Sequence, residues 1–185
     1  SYGNHIIEPT SGELASHLVG KGRMAEPESI VAQLEDFFKK GEVLKDKHVL
    51  ITAGPTYEKI DPVRFIGNYS TGKMGYALAE EAASRGAKVT LVSGPVSIKA
   101  KHPSISVISI ESAREMHDQC IKQFPSSDIA IMCAAVADYA PENTATEKIK
   151  REKDEIPVIK LVKNPDIAAS LGQIKTEGQK LIGFA

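Results

Sequence analysis

Residues 48–55 read His-Val-Leu-Ile-Thr-Ala-Gly-Pro, a short apolar and β-rich run that ends at a turn dipeptide. Such a run is typical of a strand buried on both faces of a parallel sheet. Similar patterns continue along the chain and predict a helix over 72–85, strands over 87–93 and 105–110, a helix over 112–124 and a strand over 128–135. This β-α-β repetition predicts an α/β fold: a Rossmann-like, doubly wound, mostly parallel sheet with helices on both faces.

The segments outside this repeat complete the predicted secondary structure. They comprise an irregular stretch over 1–26, a helix over 27–40, a linker over 42–47, a long loop over 54–71, a short strand over 156–161, a helix over 164–171 and a strand from Lys180. Ser112 and Glu115 have the spacing of a helix capping box. The helix over 72–85 is predicted to bury Met74, Leu78 and Ala82, which recur at helical spacing.

Composition narrows the class of protein. The chain has 185 residues, of which 42% are apolar and 25% charged, and this suits one α/β domain with a short appendage. A formal net charge of -1 argues against a nucleic-acid partner, which needs a basic surface. No apolar run reaches the ~20 residues of a membrane span, and the N-terminus does not resemble a signal peptide. Cys120 and Cys133 are predicted to be reduced thiols of a cytoplasmic protein.

Residues 67–74 partly resemble a phosphate-binding loop. Gly-Asn-Tyr-Ser-Thr-Gly-Lys-Met fits G-x-x-x-x-G-K-[ST] except at Met74, where the motif needs a hydroxyl for Mg²⁺, so a true P-loop is rejected. Ser70, Thr71 and Gly72 still lead into a helix N-terminus, whose free amides suit a phosphate or carboxylate. The alternative is an ordinary Ser/Thr N-cap with a glycine for close packing, and the residues leave both open.

The first loop of the repeat argues against a dinucleotide site. Residues 52–56 carry one glycine, Gly54, where the G-x-G-x-x-G fingerprint requires three. The second strand ends at Ser93-Gly94 without the acidic residue that holds an adenosine ribose. These features disfavour an NAD(P)-dependent oxidoreductase, and on these residues alone Gly54 is best explained as a plain turn.

Two later stretches each have two interpretations. Residues 134–138, Ala-Ala-Val-Ala-Asp, are either a strand end with a turn aspartate or a place where a ligand approaches the backbone and Asp138 helps to hold Mg²⁺. The polar segment 138–157 is either a solvated charge run or a mobile flap that brings lysines, Lys148 among them, over a polyphosphate. The five histidines lack the spacing of zinc ligands, so no zinc site is predicted, and no residue is assigned as a metal ligand.

Six motifs occur in an order that resembles one known family. They are Leu50-Ile-Thr-Ala-Gly-Pro-Thr, Asp61-Pro-Val-Arg-Phe-Ile, Asn68-Tyr-Ser-Thr-Gly-Lys-Met-Gly, Ala134-Ala-Val-Ala-Asp-Tyr, Glu147-Lys-Ile-Lys and Leu161-Val-Lys-Asn-Pro-Asp. Over about 47–185 the sequence closely resembles the phosphopantothenoylcysteine synthetases, the phosphopantothenate–cysteine ligases of coenzyme A synthesis. The stretches Gly12-Glu-Leu-Ala-Ser16 and Gly20-Lys-Gly-Arg-Met-Ala-Glu-Pro27 resemble the tail of the flavin-dependent phosphopantothenoylcysteine decarboxylases, with Ser16 where that family has a cysteine.

The resemblance implies a two-step reaction. The carboxylate of 4′-phosphopantothenate attacks the α-phosphate of CTP and releases pyrophosphate. The amine of cysteine then attacks the acyl-cytidylate and releases CMP. The resemblance assigns formation of the acyl-cytidylate to Lys148 and its conversion by cysteine to Asn68. Mg²⁺ accompanies CTP, and closure of the flap excludes water from the intermediate.

The resemblance also implies binding residues and partners. For the nucleotide they are Met132, Cys133, Ala134, Asp138, Lys148, Pro165, Asp166, Ile167, Ala168 and Phe184. The substrate and phosphate loop comprises Gly54, Ser70, Thr71, Gly72, Lys73 and Met74. The family acts as a homodimer with the substrate site near the subunit interface, to which Arg64 and its neighbours Asp61-Pro62-Val63 are assigned. FMN belongs only to the decarboxylase domain, so it is not expected on these residues.

The implied domain organisation has three parts. They are a decarboxylase-like tail over 1–41, a linker over 42–47 and a C-terminally incomplete ligase domain over 48–185. Two alternatives remain open, namely a nucleotide-binding fragment without turnover and an NAD(P)-dependent oxidoreductase.

Overall fold

The computed structural model describes residues 6–13, 19–39, 41–150 and 158–184, and the chain divides into two compact units, Ser1–Val43 and Leu44–Ala185. In the first unit, β1 (Thr10–Glu13) pairs antiparallel with β2 (Val19–Arg23), and α1 (Pro27–Lys39) follows. The predicted helix is confirmed. The prediction of an irregular stretch over 1–26 was wrong for the two strands, because cross-strand pairing orders glycine-containing segments that show no apolar alternation.

The second unit carries the remaining elements. In chain order they are β3 (His48–Ala53), β4 (Tyr57–Lys59), β5 (Phe65–Gly67), α2 (Lys73–Ser84), β6 (Lys88–Ser93), β7 (Ile105–Ser109), α3 (Ala113–Gln123), β8 (Ile129–Met132), β9 (Tyr139–Pro141), β10 (Leu161–Lys163), α4 (Ile167–Ile174) and β11 (Lys180–Gly183). Ser112 caps α3, and its capping box with Glu115 is present as predicted.

Five parallel strands form the central sheet in the order β11-β8-β3-β6-β7. From β3 the chain adds β6 and β7 on one side, then returns to the other side of β3 to add β8 and β11. The direction of winding reverses between β3 and β8, and α/β sheets bind ligands at such a switch point. The register sets Thr52 beside Met132 at the carboxyl ends of these two strands. The predicted Rossmann-like fold is confirmed.

Two apolar clusters cover the two faces of this sheet. Val49 and Ile51 of β3 belong to a cluster with α2, whereas Leu50 belongs to a cluster with α3 and α4 that includes Phe124 and Leu171. Successive β3 side chains therefore alternate between two cores, as the pleat of a strand requires. Each fully buried aliphatic side chain contributes about 1.5–3 kcal/mol relative to an exposed one. The sheet is consequently a firm support for the loops at its carboxyl edge.

Two small antiparallel pairs lie outside the central sheet. The β4–β5 pair occupies the predicted loop over 54–71, and β9 pairs with β10. The strand predicted over 156–161 is wrong for 158–160, because pairing with β9 sets the strand at Leu161–Lys163 instead. Residues 156 and 157 lie outside the described residues.

Three element ends differ from the prediction. The strand predicted over 128–135 ends at Met132, because the amides of Cys133 and Ala134 turn to the side chain of Thr52. The helix predicted to end at Leu171 continues to Ile174. In α2 the burial of Met74 was wrong: its side chain is 49% exposed, and the buried face comprises Gly75, Tyr76, Ala79, Ala82 and Ala83.

No helix among the described residues combines the length and apolar character needed to cross a membrane.

Candidate functional site

The first cavity lies at the switch point of the sheet, and we call it the β8–α4 cavity. Its volume is about 330 Å³, and it opens between the carboxyl ends of β3, β8 and β11 and the start of α4. Its lining comprises Thr52, Met132, Ala134, Val136, Ala137, Asp138, Asn164, Pro165, Asp166, Ile167, Ala168, Gly183 and Phe184. Eight of the ten predicted nucleotide-binding residues therefore meet in one cavity. The two others, Cys133 and Lys148, are not part of this lining.

Two buried threonines hold the loop that follows β8. The hydroxyl of Thr52 accepts hydrogen bonds from the backbone N–H groups of Cys133, at 3.0 Å, and Ala134, at 3.1 Å. The hydroxyl of Thr56 accepts one from the backbone N–H of Ala137 at 2.9 Å. A buried backbone amide without a partner costs about 1–3 kcal/mol, so these bonds define the path of the loop. The small side chains of the loop leave its backbone open to the cavity.

The opposite wall of the β8–α4 cavity is the start of α4. Asn164 donates its side-chain N–H to the carbonyl of Ala137 at 2.8 Å, which ties this wall to the loop after β8. Asp166 is the N-cap of α4, and its carboxylate accepts the backbone N–H of Ala169 at 2.8 Å. The helix presents the positive end of its dipole at this edge, where an anionic group is favoured.

The second cavity, of about 550 Å³, lies beside the N-terminus of α2, and we call it the α2 cavity. Its lining comprises Tyr69, Ser70, Thr71, Gly72, Lys73, Met74, Gly75 and Cys133. It thus gathers the predicted phosphate-loop residues except Gly54. Neighbouring residues after β8 line different cavities, because Cys133 faces this one while Met132 and Ala134 face the other.

The cap of α2 differs from the Ser/Thr interpretation. Gly72 is the N-cap, in the left-handed region at φ 73°, and no side chain caps the helix. Ser70 instead accepts the backbone N–H of Gly72 at 3.3 Å. A Cβ on Gly72 would lie 2.9 Å from a methyl of Val96 and 3.6 Å from the Cα of Gly54. Gly54 therefore lies behind Gly72 and supports the loop without lining the cavity.

The two cysteines are free and have different surroundings. Cys120 is fully buried in α3, and burial raises the pKa of its thiol to about 12. Cys133 is partly exposed in the α2 cavity, and burial raises the pKa of its thiol from the ordinary value. Both thiols are therefore held largely protonated at neutral pH, which makes neither an activated nucleophile.

The β4–β5 hairpin places Asn68 at the carboxyl edge of the sheet. Glu58 of β4 is buried and accepts the backbone N–H of Ala113, so the hairpin is anchored on the first turn of α3. Asn68 follows β5 directly and donates to the carbonyl of Val136 at 2.9 Å. The same nitrogen also donates to the carbonyl of Ala135 over a longer distance, 3.5 Å, so the carboxamide spans two successive carbonyls of the loop after β8. Asn68 thus stands beside the loop that separates the two cavities.

Lys148 lies on a segment that the same hairpin holds. Its side chain is exposed, and the next residue, Ile149, donates its backbone N–H to Asp61 at 3.2 Å. The carbonyl of Ile149 accepts a hydrogen bond from Arg64 at 3.1 Å. Arg64 also pairs with the carboxylate of Asp61, whose side chain is fully buried. The Arg64 guanidinium and three backbone N–H groups hold the pKa of Asp61 well below its ordinary value.

Sequence reasoning missed the residues that shape the site. Thr52, Thr56 and Asn164 make the hydrogen bonds that fix the loop after β8, and none of them was predicted as a site residue. Two of the three carried a signal, because Thr52 and Thr56 flank the turn at the end of an apolar strand, where a buried hydroxyl needs a partner. Within the described ranges, no three His, Cys, Asp or Glu side chains group in a way that would hold a metal ion.

Comparison with known proteins identifies relatives. Residues 44–185 match the sequence family described as the DNA/pantothenate metabolism flavoprotein C-terminal domain. The chain is 54% identical over 189 residues to a cysteine/cysteine sulfinic acid decarboxylase from an unidentified prokaryote, covering 100% of this chain and 52% of that protein. It is 48% identical over 183 residues to the coenzyme A biosynthesis bifunctional protein CoaBC of Haemophilus influenzae, covering 99% of this chain and 45% of that protein.

A solved structure agrees with these matches. The C-terminal domain of a coenzyme A biosynthesis bifunctional protein CoaBC superposes with a TM-score of 0.67 at 44% identity, covering 78% of this chain and 66% of that chain. The chain spans about half the length of the curated relatives it matches. These relatives confirm the family resemblance indicated by the six motifs, and the chain belongs to the DNA/pantothenate metabolism flavoprotein C-terminal domain family.

Proposed function

We propose that this chain is a phosphopantothenate–cysteine ligase domain that uses CTP and acts in the cytoplasmic synthesis of coenzyme A. The observation that carries the proposal is the β8–α4 cavity, which gathers eight residues proposed to bind the nucleotide at the switch point of the sheet. The CoaBC relatives support the pathway, because their name places them in coenzyme A biosynthesis. The reaction would join 4′-phosphopantothenate to cysteine through an acyl-cytidylate.

The β8–α4 cavity has the features that a nucleotide needs. Ala134 and Ala168 are small, so a ligand would approach the backbone on both walls. The first turn of α4 would offer backbone N–H groups to a phosphate or to the edge of the base. Phe184 is 57% exposed at the end of β11 and would contact the base with its ring. These contacts would recognise the nucleotide by its shape and its hydrogen-bonding groups, and they do not require a basic protein surface.

The residues of this cavity fit Mg²⁺ that arrives with a triphosphate. The lining has two exposed carboxylates, Asp138 and Asp166. One oxygen of Asp166 is bonded to the backbone of α4, so we assign the ion to Asp138. Proteins commonly bind Mg²⁺ through one or two carboxylates together with substrate phosphates, and Asp138 would serve in this way. When bound, the ion would neutralise part of the phosphate charge.

The first half-reaction brings a carboxylate toward a polyanion, so its main barrier is electrostatic. Lys148 would contribute a positive charge to the phosphate and stabilise the charge that develops there. In the structure its side chain is exposed and outside the lining of the β8–α4 cavity. The proposed role therefore includes movement of the Lys148 ammonium toward bound CTP, as the flap interpretation implies.

The second half-reaction would take place beside Asn68. Its carboxamide is bonded to the loop after β8, and the longer of its two bonds, 3.5 Å to the carbonyl of Ala135, is the one that would be exchanged for the acyl oxygen of the intermediate. The α2 cavity would hold phosphopantothenate, with Ser70, Thr71, Gly72 and Lys73 around an anionic group at the helix N-terminus. The intermediate would thus have its nucleotide in one cavity and its acyl chain directed toward the other.

A homodimer is part of the proposal. Exposed apolar side chains follow one another along the β4–β5 hairpin and the start of α2, namely Val63, Phe65, Tyr69 and Met74. Phe65 is further fixed by stacking on Tyr57, with 3.9 Å between ring centroids. Adjacent exposed apolar groups of this kind are typical of a protein–protein contact. Sedimentation of the 185-residue chain as a dimer is the expected result.

The direct test measures pyrophosphate and CMP released by the 185-residue chain. Release of both products is expected only with CTP, phosphopantothenate and cysteine together. Lys148→Gln is expected to abolish acyl-cytidylate formation, and Asn68→Asp to let the intermediate accumulate. Lys150→Gln, two residues along the same polar segment, is the matched control for loss of one positive charge. Full turnover by Lys148→Gln and Asn68→Asp would overturn these assignments.

The same preparation separates the alternative functions. Saturable CTP binding without product would indicate a nucleotide-binding fragment. Tight NADPH binding without CTP binding would favour an oxidoreductase. Conversion of cysteine to cysteamine without any nucleotide would favour the activity named in the 54% identical relative.

A further inference from the structure

The segment that carries Lys148 is tied to the β4–β5 hairpin at successive points. The hydroxyl of Thr144 donates to the carbonyl of Lys59 at 3.0 Å, and the backbone N–H of Ala145 donates to the carbonyl of Ile60 at 2.9 Å. Farther along, both backbone polar groups of Ile149 are bonded, its N–H to Asp61 and its carbonyl to Arg64. The segment therefore runs along the hairpin and is fastened at the hairpin turn.

Asp61 is the centre of this fastening. One carboxylate oxygen accepts the backbone N–H groups of Val63 and Arg64, each at 2.8 Å. The other accepts the guanidinium of Arg64 and the backbone N–H of Ile149. A buried carboxylate is costly unless it is paired and hydrogen-bonded, and here both oxygens are occupied. The turn 61–64 is thus a preformed receptor for the backbone of Ile149.

The turn 61–64 bonds only to the backbone N–H and carbonyl of Ile149, and these bonds do not involve the side chain of Lys148. The backbone bonds at Ile149 fix the start of the Lys148 side chain without engaging its ammonium group. The same hairpin leads through β5 to Asn68, whose carboxamide is bonded to Val136. The two proposed catalytic residues are consequently held by one structural element.

We propose that Asp61 is a positioning residue for Lys148, which acts by holding the backbone of Ile149 against the turn 61–64. The inference rests on the proposed ligase function and extends it to a residue that cannot itself reach the reacting atoms, because its side chain is fully buried. In this arrangement the backbone beside Lys148 stays fixed while its side chain changes rotamer. The ammonium group would therefore approach CTP from a defined position, at a fixed distance along the hairpin from Asn68.

The test substitutes Asp61 with its nearest isostere. Asp61→Asn preserves the shape of the side chain but replaces one acceptor oxygen with an NH₂ group, which cannot accept a hydrogen bond from an N–H. The bond from the backbone N–H of Ile149 is therefore expected to be lost. The rate of pyrophosphate release with CTP and phosphopantothenate is expected to fall by about a hundredfold, the size typical of a ~1 Å misplacement. The dissociation constant for CTP is expected to change far less than this rate, because eight of the ten proposed nucleotide-binding residues lie in the separate β8–α4 cavity.

A second readout follows the contact itself. Amide hydrogen exchange at Ile149, measured by NMR without substrates, is expected to accelerate by at least about tenfold in Asp61→Asn. Asp128→Asn is the matched control, because Asp128 also accepts a backbone N–H, that of His48, and pairs with a lysine away from the site. It is expected to leave Ile149 exchange and the pyrophosphate rate unchanged.

Arg64→Lys covers the case in which Asp61→Asn does not fold. Arg64 is about half exposed, and lysine keeps its positive charge. Lysine lacks the planar set of N–H donors by which the guanidinium contacts Asp61 and the carbonyl of Ile149 together. Faster Ile149 exchange together with a slower first half-reaction supports the proposal. Faster exchange with an unchanged rate overturns it, as does an equal loss of rate in Asp128→Asn. Absence of CTP-dependent turnover in the unsubstituted chain would instead overturn the proposed function.

Discussion

The hydroxyl of Thr52 accepts a hydrogen bond from the backbone N–H of Ala134 at 3.1 Å, across the gap between the ends of two neighbouring parallel strands. The register of the sheet sets Thr52 beside Met132, so the bond reaches the part of the chain that has just left β8. The same hydroxyl also accepts the N–H of Cys133. One side chain on β3 therefore sets the course of the loop between the two cavities.

Thr52→Val should weaken both stability and CTP binding. Valine keeps the shape of threonine but leaves the amides of Cys133 and Ala134 without their acceptor, and each unsatisfied buried amide costs about 1–3 kcal/mol. Thr52→Ser retains the hydroxyl and should bind CTP like the unsubstituted chain. Urea unfolding and calorimetric titration with CTP measure the two effects. If Thr52→Val and Thr52→Ser bind CTP equally, the hydroxyl does not shape the cavity.

Two helix glycines should respond in opposite directions to alanine. A Cβ on Gly75 would lie 2.5 Å from the Cβ of Ala53 and 3.0 Å from the carbonyl of Thr52, whereas nothing lies within 4 Å of one on Gly172. Gly75→Ala should destabilise by about 1–3 kcal/mol through overpacking. Gly172→Ala, on the exposed side of α4, should stabilise by about 1 kcal/mol through helix propensity. Denaturant midpoints provide the comparison, and destabilisation by both substitutions would contradict this account.

The two thiols should be distinguished by alkylation. Cys133 is partly exposed in the α2 cavity and should react slowly with iodoacetamide at about pH 8, while Cys120 should react only after unfolding. Because phosphopantothenate is proposed to occupy the α2 cavity, it should slow the labelling of Cys133 more than CTP does. Mass spectrometry of the labelled peptides gives both rates. Equal protection by the two ligands would count against separate cavities for them.

Asp61 should contribute to the acid dependence of stability. Its pKa lies below the ordinary value of 3.8 in the folded chain, so below that pH the unfolded chain takes up a proton that the folded chain does not. The contribution of Asp61 is present above about pH 4 and is lost as the pH falls toward the folded pKa. Asp61→Asn should therefore flatten the decline of unfolding free energy between about pH 5 and about pH 3. Asp118→Asn removes a carboxylate at a side chain that is 70% exposed and is the control, and Asp61→Asn should flatten the slope more than it does.

The sheet was predictable because its strands carry strong local patterns. The run from His48 to Ala53 is apolar and ends at a glycine, and its burial on both faces follows from that composition. The β4–β5 pair was not predictable in the same way. Its strands have three residues each, and they are ordered by the stacking of Tyr57 on Phe65 and by the bond from Ala113 to Glu58, neither of which is a local pattern.

The candidate site shows a similar division. Motifs named the residues that line the two cavities, because those residues lie in loops whose spacing is read directly along the chain. The residues whose hydrogen bonds hold these loops in place were harder to infer. Thr52 and Ala134 are 82 positions apart, and Asp61 and Ile149 are 88 apart, so their contacts follow from the topology of the sheet and the course of the loops. Met74 illustrates the same limit, since helical spacing alone does not distinguish a core position from a cavity wall.

The alternation of residues 132, 133 and 134 between the two cavities has a practical consequence. Only the main chain at these three residues separates the β8–α4 cavity from the α2 cavity. A synthetic compound built to fill both cavities at once would need a bridge that passes over the main chain at Cys133, and the length of that bridge would decide whether its halves gain from being joined.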